Sequence, residues 1–108
     1  MENILDETRF IMKKYNIRAN KSLGQNFLIN SEVVENIVNS SDIKKEDMVI
    51  EIGPGLGTLT KYLLERAGKV LCVELDTKMI KILNDRFSIY NNFEIKNNEL
   101  KTITRVYS

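Results

Sequence analysis

The 108-residue sequence contains no histidine and no tryptophan, and it contains only one cysteine and one proline. Without histidine, no imidazole can act as a general base, and a zinc site, which needs histidine or several cysteines, is excluded. The single cysteine, Cys72, cannot form a disulfide within the chain. It lies in the apolar run KVLCVEL, which favours a buried side chain. We therefore expect a function that uses no metal ion.

No apolar run approaches the length that spans a membrane. The N-terminus carries Glu2, Asp6 and Glu7 where a secretory signal would carry positive charge. These two observations predict a cytoplasmic protein without a membrane partner. Hydrophobic residues make up 43% of the chain, which suits one small globular domain with a modest core.

The stretch between Glu7 and Glu32 contains no acidic residue. Its charged residues are all basic: Arg9, Lys13, Lys14, Arg18 and Lys21. This stretch therefore has a charge of +5, while the rest of the chain has −4. Such segregation is typical of a surface that meets a phosphate backbone. We predict RNA binding for Lys13, Lys14, Arg18 and Lys21, and the alternative is an ordinary solvated helix face.

The hydrophobic pattern predicts two helices followed by a βαβαβ unit. ENILDETRFIMKKY is the first helix, NIRANKSLGQNFLIN is a loop, and the second helix has an apolar stripe that includes Ile37. MVIEI, VLCVEL and NFEIKN are strands; the helix between the first two ends at Gly68, and the next helix is capped by Thr77. This order implies an α/β fold with a parallel sheet and right-handed crossovers, one half of a Rossmann-like sheet.

The glycines of VIEIGPGLGTLT indicate a loop that approaches a nucleotide-like ligand. A dinucleotide fingerprint, G-x-G-x-x-G, would need glycine or alanine where Thr58 stands after Gly53, Gly55 and Gly57. Pro54 also removes a backbone N–H that a pyrophosphate could use. The loop therefore favours a ligand without pyrophosphate, such as S-adenosyl-L-methionine.

An acidic residue, Glu74, lies 21 residues after Gly53, at the end of the second strand. At this position a carboxylate can accept hydrogen bonds from ribose hydroxyls. The alternative is a strand-end carboxylate that is merely solvated. The order of strand, glycine loop, helix, strand and terminal acid favours the ribose interpretation.

Three motifs in order, KSLGQNFL, VIEIGPGLGTLT and VLCVELD, resemble the rRNA adenine N6,N6-dimethyltransferase family, from about Asn20 to Leu100. EIGPGLG together with QNFL is more similar to the enzymes that act on 16S rRNA than to the macrolide-resistance enzymes. The resemblance implies a class I methyltransferase fold that depends on S-adenosyl-L-methionine. It also implies small-subunit rRNA, or the 30S particle, as a partner.

The resemblance also assigns roles to single positions. Asn26 and Leu28 match residues that close over the methionine end of the cofactor, and Gly53 matches the loop glycine that approaches it, with Gly55 in the same loop. Glu74 matches the ribose-binding acid. Glu99 stands where the family usually has an aspartate that binds the adenine amino group, so it is one methylene longer.

The family's catalytic motif, Asn-(Leu/Ile)-Pro-Tyr, is missing, because the single proline of the sequence is Pro54 in the glycine loop. We therefore expect a methyltransferase fold truncated to its first βαβαβ half with two N-terminal helices, and inactive alone. Its expected parts are residues 1–47, a basic segment that caps the cofactor site, residues 48–100, the half-domain that binds the cofactor, and residues 101–108, a tail. A C-terminal helical domain is expected to be absent.

Two other functions remain open from the residues alone: a dinucleotide-binding module of NAD(P) type, and a non-catalytic fragment that binds RNA or protein. A strand order of 3-2-1 would leave the first strand, Met48 to Ile52, as an apolar edge. Unless the tail covers it, such an edge should lead to self-association of the chain.

Overall fold

The computed structural model describes residues 4–18, 31–97 and 104–107. Within these ranges there are four helices and four strands. In chain order they are α1 (Ile4–Lys14), α2 (Ser31–Ser40), β1 (Met48–Ile52), α3 (Thr58–Arg66), β2 (Lys69–Val73), α4 (Thr77–Phe87), β3 (Phe93–Lys96) and β4 (Thr104–Tyr107). The βαβαβ order expected from the sequence is confirmed.

The four strands form one sheet in the order β3-β2-β1-β4. β1, β2 and β3 run parallel, with Val49 beside Val70 and Cys72 beside Ile95. The carboxyl ends of these three strands therefore meet at one edge of the sheet, where ligands bind in doubly wound folds. This edge carries both the glycine loop and Glu74.

The expectation that β1 forms an open edge is wrong. β4, from the segment expected to be only a tail, pairs antiparallel with β1 and places Val106 beside Val49 and Arg105 beside Ile50. The backbone groups of β1 are thus hydrogen-bonded on both sides, so they offer no template for another chain. The predicted self-association through an exposed first strand loses its structural basis.

Two groups of buried residues hold the helices in place. The larger one joins α2, α3 and α4 to β1 and β2 and consists of Val38, Val49, Leu63, Leu64, Ala67, Val70, Cys72, Leu83 and Phe87. The smaller one joins α1 to α4 and the glycine loop and consists of Ile11, Ile17, Leu56, Met79 and Ile82. Cys72 is buried with a free thiol, as predicted.

Three local predictions are corrected. The N-cap of α4 is Asp76 and not Thr77, because the Asp76 carboxylate accepts from the N–H groups of Lys78 and Met79 at 2.8 and 3.3 Å. α3 ends at Arg66 with Ala67 as its C-cap, so Gly68 lies just beyond the helix, where a Cβ would collide with the carbonyl oxygen of Lys45. Ile37, expected in the buried stripe of α2, is 41% exposed.

Gly57 connects the glycine loop to α3, and two separate features of its environment disfavour a side chain at this position. Its φ is +87°, and a Cβ atom would overlap the ring of Phe87 and lie 2.9 Å from Cδ2 of Leu83. Gly57 therefore allows α4 to pack directly against the end of the loop. Both restrictions would be violated by any other residue.

We predict that Gly57→Ala lowers the free energy of unfolding by about 2–4 kcal/mol, the sum of left-handed strain and overpacking. Gly53→Ala is the matched control, because Gly53 also has a positive φ, +72°, but is exposed. It should show only the conformational cost, about 1–2 kcal/mol. Urea unfolding followed by circular dichroism measures both. Equal losses in the two variants would contradict the packing argument.

Candidate functional site

The glycine loop follows the carboxyl end of β1 and turns the chain into α3. Gly53, Gly55 and Gly57 all have positive φ angles, 72°, 62° and 87°. The N–H of Gly53 donates to the Val73 carbonyl at 2.8 Å, which ties the start of the loop to the end of β2. A backbone without Cβ atoms in this conformation permits a ligand to approach closely.

Glu74 lies directly after β2, beside the glycine loop. Its Oε1 accepts from the N–H of Gly55 at 3.1 Å, and its Oε2 accepts from the N–H of Asp76 at 2.9 Å. The residue is only 8% exposed. Because a carboxylate has about four acceptor positions, two N–H donors leave it able to accept further hydrogen bonds.

The structure thus brings together three of the residues expected at the cofactor site: Gly53, Gly55 and Glu74. The other three, Asn26, Leu28 and Glu99, lie outside the described residues. Their predicted contacts stay predictions.

A second carboxylate, Glu51 of β1, is buried against α3 and β2. Its Oε1 accepts from the Thr60 hydroxyl at 2.5 Å and from the Cys72 thiol at 3.9 Å. Burial raises the pKa of Glu51 to about 7, although both hydrogen bonds act to lower it. Burial also raises the pKa of the Cys72 thiol, so that this group stays protonated and can donate. The sequence motif alone indicates no separate role for Glu51, but its spacing of two residues from Val49 on an apolar strand puts both side chains on the same face, which is a usable signal for its burial.

An ion-pair network joins α1 to the opposite side of the glycine loop. Arg86 of α4 donates through Nη1 to the Leu56 carbonyl and through Nη2 to Oε1 of Glu7, the latter at 2.5 Å. The other oxygen of Glu7 meets Lys61 of α3 at 3.3 Å. The side chains of Glu7 and Arg86 are 21% and 15% exposed, so solvent screens this pair less than a surface pair. No local sequence pattern indicated it, because Glu7 and Arg86 are 79 positions apart.

The predicted RNA-binding residues that the structure describes are Lys13, Lys14 and Arg18, and all three are exposed. Lys21 lies outside the described residues. Lys13 and Lys14 occupy the last turn of α1, where basic residues also interact favourably with the helix dipole. The three cations are therefore accessible to a polyanion.

Two absences hold for the described part of the chain. Residues 4–18, 31–97 and 104–107 contain no group of three or more histidine, cysteine, aspartate or glutamate residues placed to hold a metal ion. None of the helices in these ranges is long and apolar enough to cross a membrane.

The model of the family described as ribosomal RNA adenine dimethylase matches residues 16–105, most of the chain. The chain belongs to this family. Ribosomal RNA small subunit methyltransferase A of Clostridium botulinum is 54% identical over 88 residues, which are 82% of this chain and 32% of that protein. The chain thus spans about a third of the length of the curated relatives that it matches.

Two solved structures of methylating enzymes have a similar fold. A dimethyladenosine transferase from Plasmodium falciparum superposes with a TM-score of 0.64 at 36% identity, over 72% of this chain and 30% of that one. The 23S rRNA methyltransferase ErmE superposes with a TM-score of 0.65 at 32% identity, over 68% of this chain and 30% of that one. The predicted Rossmann-like methyltransferase fold and the predicted cofactor, S-adenosyl-L-methionine, are confirmed for the adenine dimethylase family to which the chain belongs.

We predict that Glu51 makes folding less favourable as the pH rises. A carboxyl with a folded-state pKa of about 7 and an ordinary value of 4.5 holds its proton more tightly in the folded state, so stability declines between these values. Glu51→Gln should remove this decline. The difference in free energy of unfolding between Glu51→Gln and the parent chain should therefore increase in favour of the variant as the pH is raised. This increase should reach up to about 3 kcal/mol between pH 4.5 and pH 8.

Glu94→Gln is the control, because the exposed Glu94 carboxyl pairs with Lys69 at 2.8 Å and its pKa is lowered by that partner. The ionised Glu94 carboxylate stabilises the folded state, and this contribution is lost on acidification. Glu94→Gln should therefore change the pH dependence of the free energy of unfolding in the opposite direction to Glu51→Gln. Chemical unfolding at a series of pH values checks both variants. Parallel pH profiles of the parent chain and Glu51→Gln would rule out the effect.

Proposed function

We propose that the chain binds S-adenosyl-L-methionine at the edge of the sheet formed by the glycine loop and Glu74. We further propose that it is the cofactor-binding portion of a cytoplasmic enzyme that dimethylates the exocyclic amino groups of adjacent adenines in small-subunit rRNA, within the 30S particle. The observation that carries the proposal is the hydrogen bond from Gly55 to Glu74, because it joins the two parts expected to contact the cofactor.

The residues of the site fit this cofactor. Gly53 and Gly55 offer a backbone without side chains, and Pro54 between them offers no N–H, which suits a ligand without pyrophosphate. Glu74 has spare acceptor positions for the two hydroxyls of a ribose. When bound, S-adenosyl-L-methionine supplies an electrophilic methyl group on a sulfonium.

Three further contacts rest on the resemblance. Asn26 and Leu28 would close over the methionine end, and Glu99 would reach the adenine amino group. We also propose that residues 1–47 cap the site and residues 48–100 hold the cofactor. The packing of Ile11 and Ile17 against Leu56 of the glycine loop supports a capping role for the N-terminal segment.

The proposed RNA contacts are Lys13, Lys14, Arg18 and Lys21. The names of the relatives support an RNA substrate: one acts on the ribosomal small subunit and another on 23S rRNA. The exposure of Lys13, Lys14 and Arg18 supports a role in binding its phosphates.

We propose that this chain by itself transfers no methyl group. Its single proline is in the glycine loop, so it has no Asn-Leu-Pro-Tyr motif to orient the target amine. The direction of β4 adds a second reason. Thr104 pairs with Glu51 near the glycine loop, but Tyr107 pairs with Met48 at the other end of β1. An antiparallel strand in this place therefore leads away from the cofactor edge, where the amine must be aligned.

Glu74→Ala should weaken binding of S-adenosylhomocysteine by about 1–3 kcal/mol, because the ribose hydroxyls lose their acceptor. Glu74→Gln separates two effects, since its amide oxygen can still accept from Gly55 while the charge is lost. We expect it to bind with intermediate affinity. Glu94→Ala removes an exposed carboxylate from β3 and serves as the control. Isothermal titration calorimetry measures all four proteins, and equal affinities of Glu74→Ala and the parent chain would contradict the proposed site.

Incubation of the purified chain with radiolabelled S-adenosyl-L-methionine and undermethylated small-subunit particles should place no label in adenine. The full-length Clostridium botulinum relative provides the positive control under the same conditions. Label above a no-protein control in the sample with this chain would show that alignment of the amine does not need the missing motif.

A further inference from the structure

The exposed, outward side of α1 carries mostly basic charge. Glu7 is only 21% exposed and is paired with both Arg86 and Lys61. The exposed residues of the helix include three basic side chains: Arg9, Lys13 and Lys14. Asp6, four positions before Phe10 and on the same face, is an exposed acid. Because Glu7 is ion-paired, the exposed charges of α1 are three basic residues and one acid, so this side of the helix is predominantly basic.

Phe10 lies in the middle of this basic side. It is 66% exposed, although burial of a phenylalanine side chain is normally favourable. Lys13 and Lys14 follow it at the i+3 and i+4 positions, so the three side chains share one helix face. The opposite side of α1 packs its own apolar residues, Ile11 among them, against α4 and the loop. Phe10 thus contributes little to the core of the described structure.

We propose that the outward face of α1 binds single-stranded RNA, with an unpaired base stacked on the ring of Phe10 and the flanking phosphates on Lys13 and Lys14 and on Arg18, which follows the helix. This inference rests on the proposed RNA substrate and adds that the bound segment of RNA is single-stranded. Cations beside an exposed aromatic ring are the arrangement used by single-strand binding surfaces. The ring stacks on the face of a base, and such stacking has little sequence preference.

The geometry favours a single strand over a duplex. In a double helix each base is covered on both faces by its neighbours, and only phosphates, sugars and groove edges are accessible. Phe10 could then contribute nothing, and only the cations would act. A base in an unpaired segment has a free π-face for Phe10, so the aromatic ring and the cations act together.

The test uses the intact chain and fluorescence anisotropy with a labelled single-stranded oligoadenylate. A second probe has the same sugar–phosphate chain but no bases. Phe10→Leu is the decisive variant, since leucine keeps the apolar character but has no aromatic face. Phe10→Trp tests rescue by a larger aromatic ring. Ile37→Ala, which removes an exposed apolar side chain from α2, is the matched control.

We expect Phe10→Leu to weaken oligoadenylate binding about 5-fold or more, the effect of losing one stacked base. Its affinity for the abasic probe and its dependence on salt should equal those of the parent chain, because no phosphate contact is lost. Phe10→Trp should retain binding. A 2-aminopurine base in the oligomer should be quenched by the parent chain and not by Phe10→Leu. Parent-like oligoadenylate binding by Phe10→Leu, or an equal loss with the abasic probe, would overturn the proposal.

Neutralising Lys13, Lys14 and Arg18 to glutamine separates this inference from the proposed function. A flatter salt dependence in that triple variant, together with unchanged binding by Phe10→Leu, would overturn stacking and leave RNA binding in place. If the parent chain binds neither probe, both the stacking proposal and RNA binding by α1 are wrong. Circular dichroism and thermal unfolding must show that all variants are folded, which the exposure of the substituted side chains favours.

Discussion

The candidate site depends on one constraint: both oxygens of the Glu74 carboxylate accept backbone N–H groups, one from the glycine loop and one from the start of α4. This side chain therefore fixes the loop relative to the end of β2. Arg86 fixes the other side of the loop through the Leu56 carbonyl, and the packing of Gly57 against Phe87 fixes its end. Three contacts thus hold a turn whose glycines would otherwise be free to adopt many conformations, which is how a binding loop is preorganised.

The parts of the site that the sequence predicts correctly are those that depend on the order and spacing of motifs along the chain. The 21-residue spacing from Gly53 to Glu74 implies two adjacent parallel strands, and their carboxyl ends meet as expected. The contacts missed were long-range. Nothing near Glu7 indicates that Arg86 is its partner, since the pairing depends on how α1 packs on α4. Only membership of an apolar strand indicated the buried state of Glu51.

The errors in the predicted fold have the same origin. KTITRVYS has the alternation and β-branched residues of a strand, but whether it pairs with β1 or β3 depends on which sheet edge is available. Asp76 and Thr77 are both good N-cap residues, and the extended backbone of Asp76, with φ −79° and ψ 116°, decides between them. Gly68 looked like a helix terminator, yet its lack of a side chain is required by Lys45, 23 positions earlier in a different loop.

The central claim is that the cofactor occupies the edge formed by the glycine loop and Glu74. Titration of the 15N-labelled chain with S-adenosylhomocysteine, followed by two-dimensional NMR of the backbone amides, tests it most directly. The account predicts saturable shifts that are largest for Gly53, Gly55 and Asp76, whose N–H groups lie in the loop or on the Glu74 carboxylate. Shifts concentrated on other elements, with these three amides unchanged at saturation, would contradict it.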